Sequence, residues 1–256
     1  VLGWFDDRHN LRIRTRIIMQ IVIACAMVYL LARLQGINIA GYHLELPDWL
    51  LFVSIVVWVV WMTNLFNFMD GIDGLVSTQS TIATVVLACW FYQEDAPNLV
   101  LLNMTLAGAL VGFSFHNWRP ASVFLGDIGS LTLGIYFAVM GIIGWTVYRL
   151  PVEAFMLLYG VMFCDATVTL MVRILRRERW WEAHSSHFYQ RLVRLGYNHA
   201  QVTSLAVMVT VCLSIYATLL IHERAPQWLW ILLGGLTLTG CGLIIKHKEK
   251  KHLNLK

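Results

Sequence analysis

WLLFVSIVVWVVWMTNLFNF, residues 49–68, runs without a single charged side chain, and MDGIDG follows it directly at 69–74. About 20 apolar residues, wound as a helix, match the ~30 Å hydrocarbon core of a bilayer. Nothing in the run alternates as a strand would, and lipid offers no partner to backbone N–H and C=O groups, so a helix is the spanning solution. The reading is an all-α, polytopic membrane helical bundle.

Runs of the same kind recur on both sides. Together with 49–68 they lie at 17–35, 75–92, 99–115, 131–147, 152–175, 202–221 and 228–245, which predicts about eight transmembrane helices. The whole chain of 256 residues is 58% hydrophobic and 13% charged, with mean hydropathy +0.65. Soluble domains carry roughly 25% charged residues. No linker, low-complexity tract or repeat divides the chain, so residues 1–256 are read as a single membrane domain with one enlarged loop at 176–201. Cys25, Cys89, Cys164, Cys212 and Cys241 all fall in apolar runs with no zinc-like or redox-pair spacing, and are read as buried small hydrophobes.

Orientation follows from the loops. Arg8, Arg12, Arg14, Arg16, Arg119, Arg173, Arg176, Arg177, Arg179, Arg191, Arg194 and all lysines fall on one side, against Arg33, Arg149 and Arg224 on the other. The positive-inside rule makes the first side cytoplasmic. Trp49, Trp145 and Trp228 stand near span ends, where an aromatic belt would place them.

That cytoplasmic side also collects five carboxylates: Asp6, Asp7, Asp70, Asp73 and Asp127. If 64–74 stays helical, Asn67, Asp70 and Asp73 share a face, with Gly71 and Gly74 leaving room beside them for close backbone approach. Asp127 and Ser130 precede the span at 131–147 and suit either helix capping or ligation. Asp6 and Asp7 suit either a solvated loop or the same site. Like charges converging in one place repel unless a cation sits among them, and a set of carboxylate and amide oxygens is what Mg²⁺ prefers, shared with substrate phosphates. Mn²⁺ is the alternative ion. His184 and His187 would share a face if their segment is helical, and with Arg176, Arg177, Arg179 and Arg191 nearby they could hold a pyrophosphate. No P-loop is present, which excludes that class of nucleotide hydrolase. Asp165 is the one acid well inside a span, where it is costly unless paired or hydrated.

Taken in order, these motifs are Gly-x-x-Asp-Asp at 3–7, Asn-x-x-Asp-Gly-x-Asp-Gly at 67–74, Asn117 with Pro120, Phe-x-Gly-Asp-x-Gly-Ser at 124–130, and a histidine loop. From Gly3 to about Leu195 the chain resembles the polyprenyl-phosphate N-acetylhexosamine-1-phosphate transferases, glycosyltransferase family 4. That family includes phospho-MurNAc-pentapeptide translocase and the enzymes that initiate O-antigen synthesis. The resemblance implies a ten- or eleven-span fold, of which this chain lacks the first two or three helices.

It also implies transfer of a sugar 1-phosphate from a UDP-N-acetyl sugar to undecaprenyl phosphate, releasing UMP, at the cytoplasmic face of the bacterial inner membrane. Asp127 is then the Mg²⁺ ligand with Asn67 joining it. Asp6 and Asp7 handle the lipid phosphate, and Asp70 and Asp73 shape the nucleotide pocket. Asn117 and Phe124 meet the uridine, while His184 and His187 bind the donor's diphosphate or sugar. The histidine loop departs from the family's tighter cluster: His184-Ser-Ser-His187 is similar to the branch that starts O-chains with N-acetylated 6-deoxyhexosamines such as N-acetylfucosamine, with GlcNAc as the alternative donor. The expected partners are the two substrates, the bilayer and a second copy as a homodimer, with no nucleic acid. A cation or nucleotide-sugar transporter, hinging on Asp165, is the rival class. A noncatalytic assembly subunit is the third.

Overall fold

The structure, a computed structural model, describes residues 3–4, 12–31, 36–179, 181–182 and 184–254. Helices α1 (Ile13–Leu31), α2 (Asp48–Met69), α3 (Leu75–Gln93), α4 (Pro97–Asn117) and α5 (Gly126–Thr146) come first. They are followed by α6 (Val152–Leu158), α7 (Gly160–Leu175), the short α8 (Phe188–Arg194), α9 (His199–Ile221) and α10 (Gln227–Leu253). Seven of these are long and apolar enough to cross a membrane, or eight if the bent pair α6 and α7 is counted as one span. The chain is therefore a polytopic membrane helical bundle.

Two features depart from the sequence reading. The run at 152–175 is not one straight helix: it turns by 85° at Tyr159, between α6 and α7. Gly160 stands at the break, where a side chain would collide with Leu213 of α9 at 2.9 Å. The 16 residues of α7 reach about 24 Å, so this half-helix alone is shorter than a bilayer core. The loop after α1 holds the second surprise, a hairpin of β1 (Ile37–Ile39) and β2 (Tyr42–Leu44), paired antiparallel with Ile37 opposite Leu44. Its two-residue turn, Ala40-Gly41, has positive φ at both positions, the twist that a tight hairpin requires. Glu153 at the start of α6 accepts a hydrogen bond from the Ala40 N–H and ties the hairpin to the bundle.

Packing is centred on α2, α3, α5 and α9, whose inner faces meet around Phe66, Phe91, Phe137 and Leu213. Phe66 stacks on Phe137 with ring centroids 5.1 Å apart. Lipid is as apolar as leucine, so close fit and interhelical hydrogen bonds carry association here. Trp58 donates from α2 to the Ala138 carbonyl, Trp61 from α2 to Thr167, and Trp90 from α3 to Thr218. Trp49 and Trp228 are exposed at span ends, while Trp145 is buried in the core rather than placed in a belt. No cysteine is paired, and none is buried as the sequence reading expected: Cys89 is exposed on the helix surface, and Cys25, Cys164, Cys212 and Cys241 are half-buried.

Candidate active site

A close backbone approach between α2 and α5 at Gly134 sets the register of the site. A Cβ on Gly134 would lie 2.6 Å from both the Met62 carbonyl oxygen and Thr63 Cα, so only glycine lets these helices touch. One turn further along each helix, Asn67 meets Ser130, its Nδ2 donating to Oγ at 3.1 Å. The same amide nitrogen donates to Asp127 Oδ1 at 2.6 Å. Asp127 stands in the first turn of α5, which begins at Gly126, so it is not the N-cap residue that its position before a span allowed.

Arg16 of α1 completes this cluster. Its guanidinium donates to Asn67 Oδ1 at 3.2 Å and lies 3.7 Å from Asp127 Oδ2. One turn deeper, Gln20 and Asn64 exchange amide hydrogen bonds at 2.7 and 3.4 Å. This polar ladder docks α1 onto α2 within the membrane.

The helix does not continue through the aspartate motif. It ends at Met69, and residues 70–74 form a turn, so Asn67, Asp70 and Asp73 do not share a helical face as continuity would have required. The glycines explain why. A side chain on Gly71 would overlap the Tyr189 hydroxyl, and Gly74 adopts φ +75 against the Trp118 ring. Asn117 fixes the same turn: its Oδ1 accepts from the Gly74 N–H at 3.0 Å and the Ser77 hydroxyl at 3.1 Å, while Nδ2 donates to the Val123 carbonyl. Asp73 faces His199 Nδ1 at 3.2 Å and accepts from the Ala121 N–H at 3.4 Å, which ties the turn to α9 and to the loop before α5.

Asp70 is the exception to this pattern of satisfied groups. Among the described residues no hydrogen bond reaches its carboxylate. Burial, and after it the negative charge of Asp127, pushes its pKa up to about 6. Two oxygen-rich carboxylates with a surplus of negative charge, beside an asparagine, fit a hard divalent cation such as Mg²⁺. Among the described residues no three His, Cys, Asp or Glu side chains converge as a protein-only cage.

The histidine loop returns to this turn. Residues 184–186 are not helical, so His184 and His187 are brought together by the loop path, with ring centroids 4.8 Å apart, and not by a helical face. His187 is 3% exposed, flanked by Phe68 and Tyr189, with Nδ1 3.1 Å from Asp165 Oδ1. His184 is partly exposed, and its Nδ1 meets the Ser186 hydroxyl at 2.9 Å. Burial, then the neighbouring His187 and Arg173, lower its pKa to about 4, so His184 is a neutral imidazole at physiological pH. Tyr189 donates its hydroxyl to the Phe68 carbonyl at the end of α2. Phe124, three residues before Asp127 in the chain, is 71% exposed. Asp6 and Asp7 lie outside the described residues, but Gly3 packs its backbone onto Asp127 and Ile128, with room for no side chain.

A cavity of about 560 Å³ opens beside the loop between α7, α9 and α10. Its lining is mostly apolar, with Val161, Val168 and Val209, and also carries Arg176, Lys246, Asp165 and the Arg191–Glu249 pair. Sequence reasoning missed Arg16, His199 and Tyr189 as site residues. Arg16 counted only as one of many cytoplasmic cations, and nothing in the sequence pairs His199 with Asp73.

Comparison with known proteins identifies the family. Residues 1–145 match the profile of glycosyl transferase family 4. The chain is 27% identical over 235 residues to a probable undecaprenyl-phosphate N-acetylglucosaminyl 1-phosphate transferase of Bacillus subtilis (strain 168), covering 90% of this chain and 64% of that protein. It is 31% identical over 185 residues to a phospho-N-acetylmuramoyl-pentapeptide-transferase of Streptococcus pyogenes serotype M6, covering 68% and 53%. The chain thus spans between half and two thirds of the length of these relatives. The family match takes in Asn67, Asp70, Asp73 and Asp127, the residues gathered at the ends of α2 and α5, and the chain belongs to glycosyl transferase family 4.

Proposed function

We propose that this protein transfers a sugar 1-phosphate from a UDP-sugar to undecaprenyl phosphate, releasing UMP, at the cytoplasmic face of a bacterial inner membrane. The observation that carries the reading is the pair Asp70 and Asp127, half-buried and mutually repelling at a helix boundary, in a chain of this family. The relatives' names supply the substrate classes: an undecaprenyl-phosphate acceptor for one, and N-acetylated sugar phosphates for both. The donor is an N-acetylated hexosamine or 6-deoxyhexosamine. GlcNAc has the support of the Bacillus relative's name, and N-acetylfucosamine that of the His184-Ser-Ser-His187 variant. The product would start O-antigen or another envelope polysaccharide.

The chemistry is exchange of a phosphoryl bond between two anions, so alignment and charge neutralisation dominate. Asp127 and Asp70 would hold Mg²⁺, with Asn67 joining through the amide oxygen that here accepts from Arg16. The ion would offset the charge of the donor's diphosphate. Arg16 steadies Asp127 from the α1 side. His184, neutral, can give the sugar phosphate a hydrogen bond without a permanent charge that would hold the product. Asp6 and Asp7 would receive the lipid phosphate, and Phe124, with its ring exposed, would stack on uracil. The largely apolar cavity beside the histidine loop would receive the acceptor's lipid chain.

The test is Mg²⁺-dependent UMP release from UDP-GlcNAc and UDP-N-acetylfucosamine in vesicles containing undecaprenyl phosphate. Asp127→Ala should insert normally and release no UMP, and turnover at the wild-type rate in that variant overturns the proposal. The transporter reading is not favoured by the match to a transferase family, and Asp165, on which it hinged, is bound by groups of its own chain.

A further inference from the structure

An acid inside a spanning helix has to be compensated, and the way Asp165 is compensated points to a role. It sits in the second turn of α7 and is 6% exposed. Its Oδ1 accepts from the Phe188 N–H at 2.8 Å, and its Oδ2 from the Tyr189 N–H at 3.1 Å. Thr169 donates to Oδ1 at 3.3 Å, and the His187 ring meets Oδ1 at 3.1 Å. Three of these four partners are consecutive residues of the histidine loop, more than twenty positions away in the chain.

A hydrophobic side chain at 165 would pack more cheaply in this setting, since a buried carboxylate has to recover its whole desolvation cost from these contacts. The cost is met by contacts that hold the loop in one place. The other end of the loop is tied to the same helix two turns on: Arg173 pairs with Glu178 at 2.9 Å and donates to the Arg179 carbonyl at 2.9 Å. A carboxylate on Nδ1 also selects the ring orientation, because the two imidazole nitrogens point in different directions and Nε2 is left facing away from Asp165.

We propose that Asp165 is the positioning residue of the site: it anchors the histidine loop to α7 and turns His187 Nε2 towards the donor. It acts through His187 and Tyr189 and does not itself meet substrate. Tyr189 carries the constraint onward, because its hydroxyl holds the Phe68 carbonyl and covers Gly71, next to Asp70. The inference rests on the transferase reading for its kinetic consequence but not for its structural one.

Two readouts on the protein in nanodiscs separate these. In Asp165→Asn, hydrogen exchange across 187–194 should rise about tenfold while 75–93 stays protected, which also reports on folding. Steady-state assays with UDP-GlcNAc and undecaprenyl phosphate should show the donor KM raised about tenfold or more, with the lipid KM unchanged, and Asp165→Glu should restore part of the loss. Unchanged exchange at 187–194 in a folded Asp165→Asn overturns the proposal, as does a loss confined to kcat with the donor KM intact. If the wild type transfers nothing from any UDP-sugar, the transferase reading fails while the exchange result still decides the anchoring. Should Asp165→Asn fail to insert, Thr169→Val removes one donor only and should raise exchange at 187–194 two- to fivefold, no rise counting against the anchor.

Discussion

Asn67 on α2 reaches Asp127 on α5 across 2.6 Å, the shortest link between the two helices at the site. Arg16 approaches both from the opposite side. Asn67→Ala removes a hydrogen bond to a charged acceptor, typically about 1.5–3 kcal/mol, which corresponds to a loss of roughly one to two orders of magnitude if it is felt fully in the transition state. Asn67→Asp puts a like charge against Asp127 and should be the more damaging of the two at neutral pH. Rates of UMP release from both variants, measured at equal membrane insertion, check the order, and an Asn67→Asp enzyme more active than Asn67→Ala contradicts it.

The register that creates this link depends on Gly134. Its missing side chain lets α2 and α5 touch, so Gly134→Ala overpacks the seam and should cost about 1–3 kcal/mol, with Gly134→Val costing more. Gly108 on α4 is the control, since a Cβ there meets nothing within 4 Å. Gly108→Ala should be neutral or stabilising by up to about 1 kcal/mol through helix propensity. Thermal unfolding in one detergent distinguishes the two, and equal midpoints for Gly134→Ala and Gly108→Ala would remove the register argument.

His184 provides a pH signature. Its pKa is lowered to about 4 in the fold, so the unfolded chain binds the proton first as the pH falls. The stability contributed by keeping this ring neutral is therefore present above about 6.5 and is lost progressively down to about 4. His184→Gln lacks that proton uptake and should gain on the wild type between pH 6.5 and 4, while differing little in its pH slope above 7. Parallel unfolding curves for both proteins across this window would contradict the burial of His184.

The fold was legible because bilayer physics leaves few options. Each of the eight apolar runs maps onto a helix or, at 152–175, onto a broken one. The break itself was not legible, because Tyr159-Gly160 is an unremarkable pair until Leu213 of a distant helix packs against it. In the site, Asn67, Asp70 and Asp127 could be singled out, since charge at a membrane boundary is costly and therefore informative. Their geometry could not, because the turn at 70–74 is imposed by Tyr189, Trp118 and Asn117 from three other segments. Asn117 illustrates the gap: an asparagine expected at the uridine spends its amide on the backbone of that turn.

The last prediction concerns the ion. Asp70 has no donor among the described residues and is repelled by Asp127, so a divalent cation between them should stabilise the fold as well as serve the reaction. A ligand that binds only the folded state stabilises by RT ln(1 + [L]/Kd), about 2.7 kcal/mol at one hundred times Kd. Mg²⁺ should accordingly raise the unfolding midpoint of the wild type at pH 7.5, with Mn²⁺ acting similarly and EDTA reversing both. Asp70→Asn and Asp127→Asn relieve the repulsion without the ion, so both should be less sensitive to Mg²⁺ and, without it, no less stable than the wild type from this cause. Proton competition supplies the sign check: at pH 5, below the raised pKa of Asp70, the Mg²⁺ effect on the wild type should shrink. An Mg²⁺ shift that persists undiminished in Asp127→Asn would place the ion elsewhere and separate the carboxylate pair from metal binding.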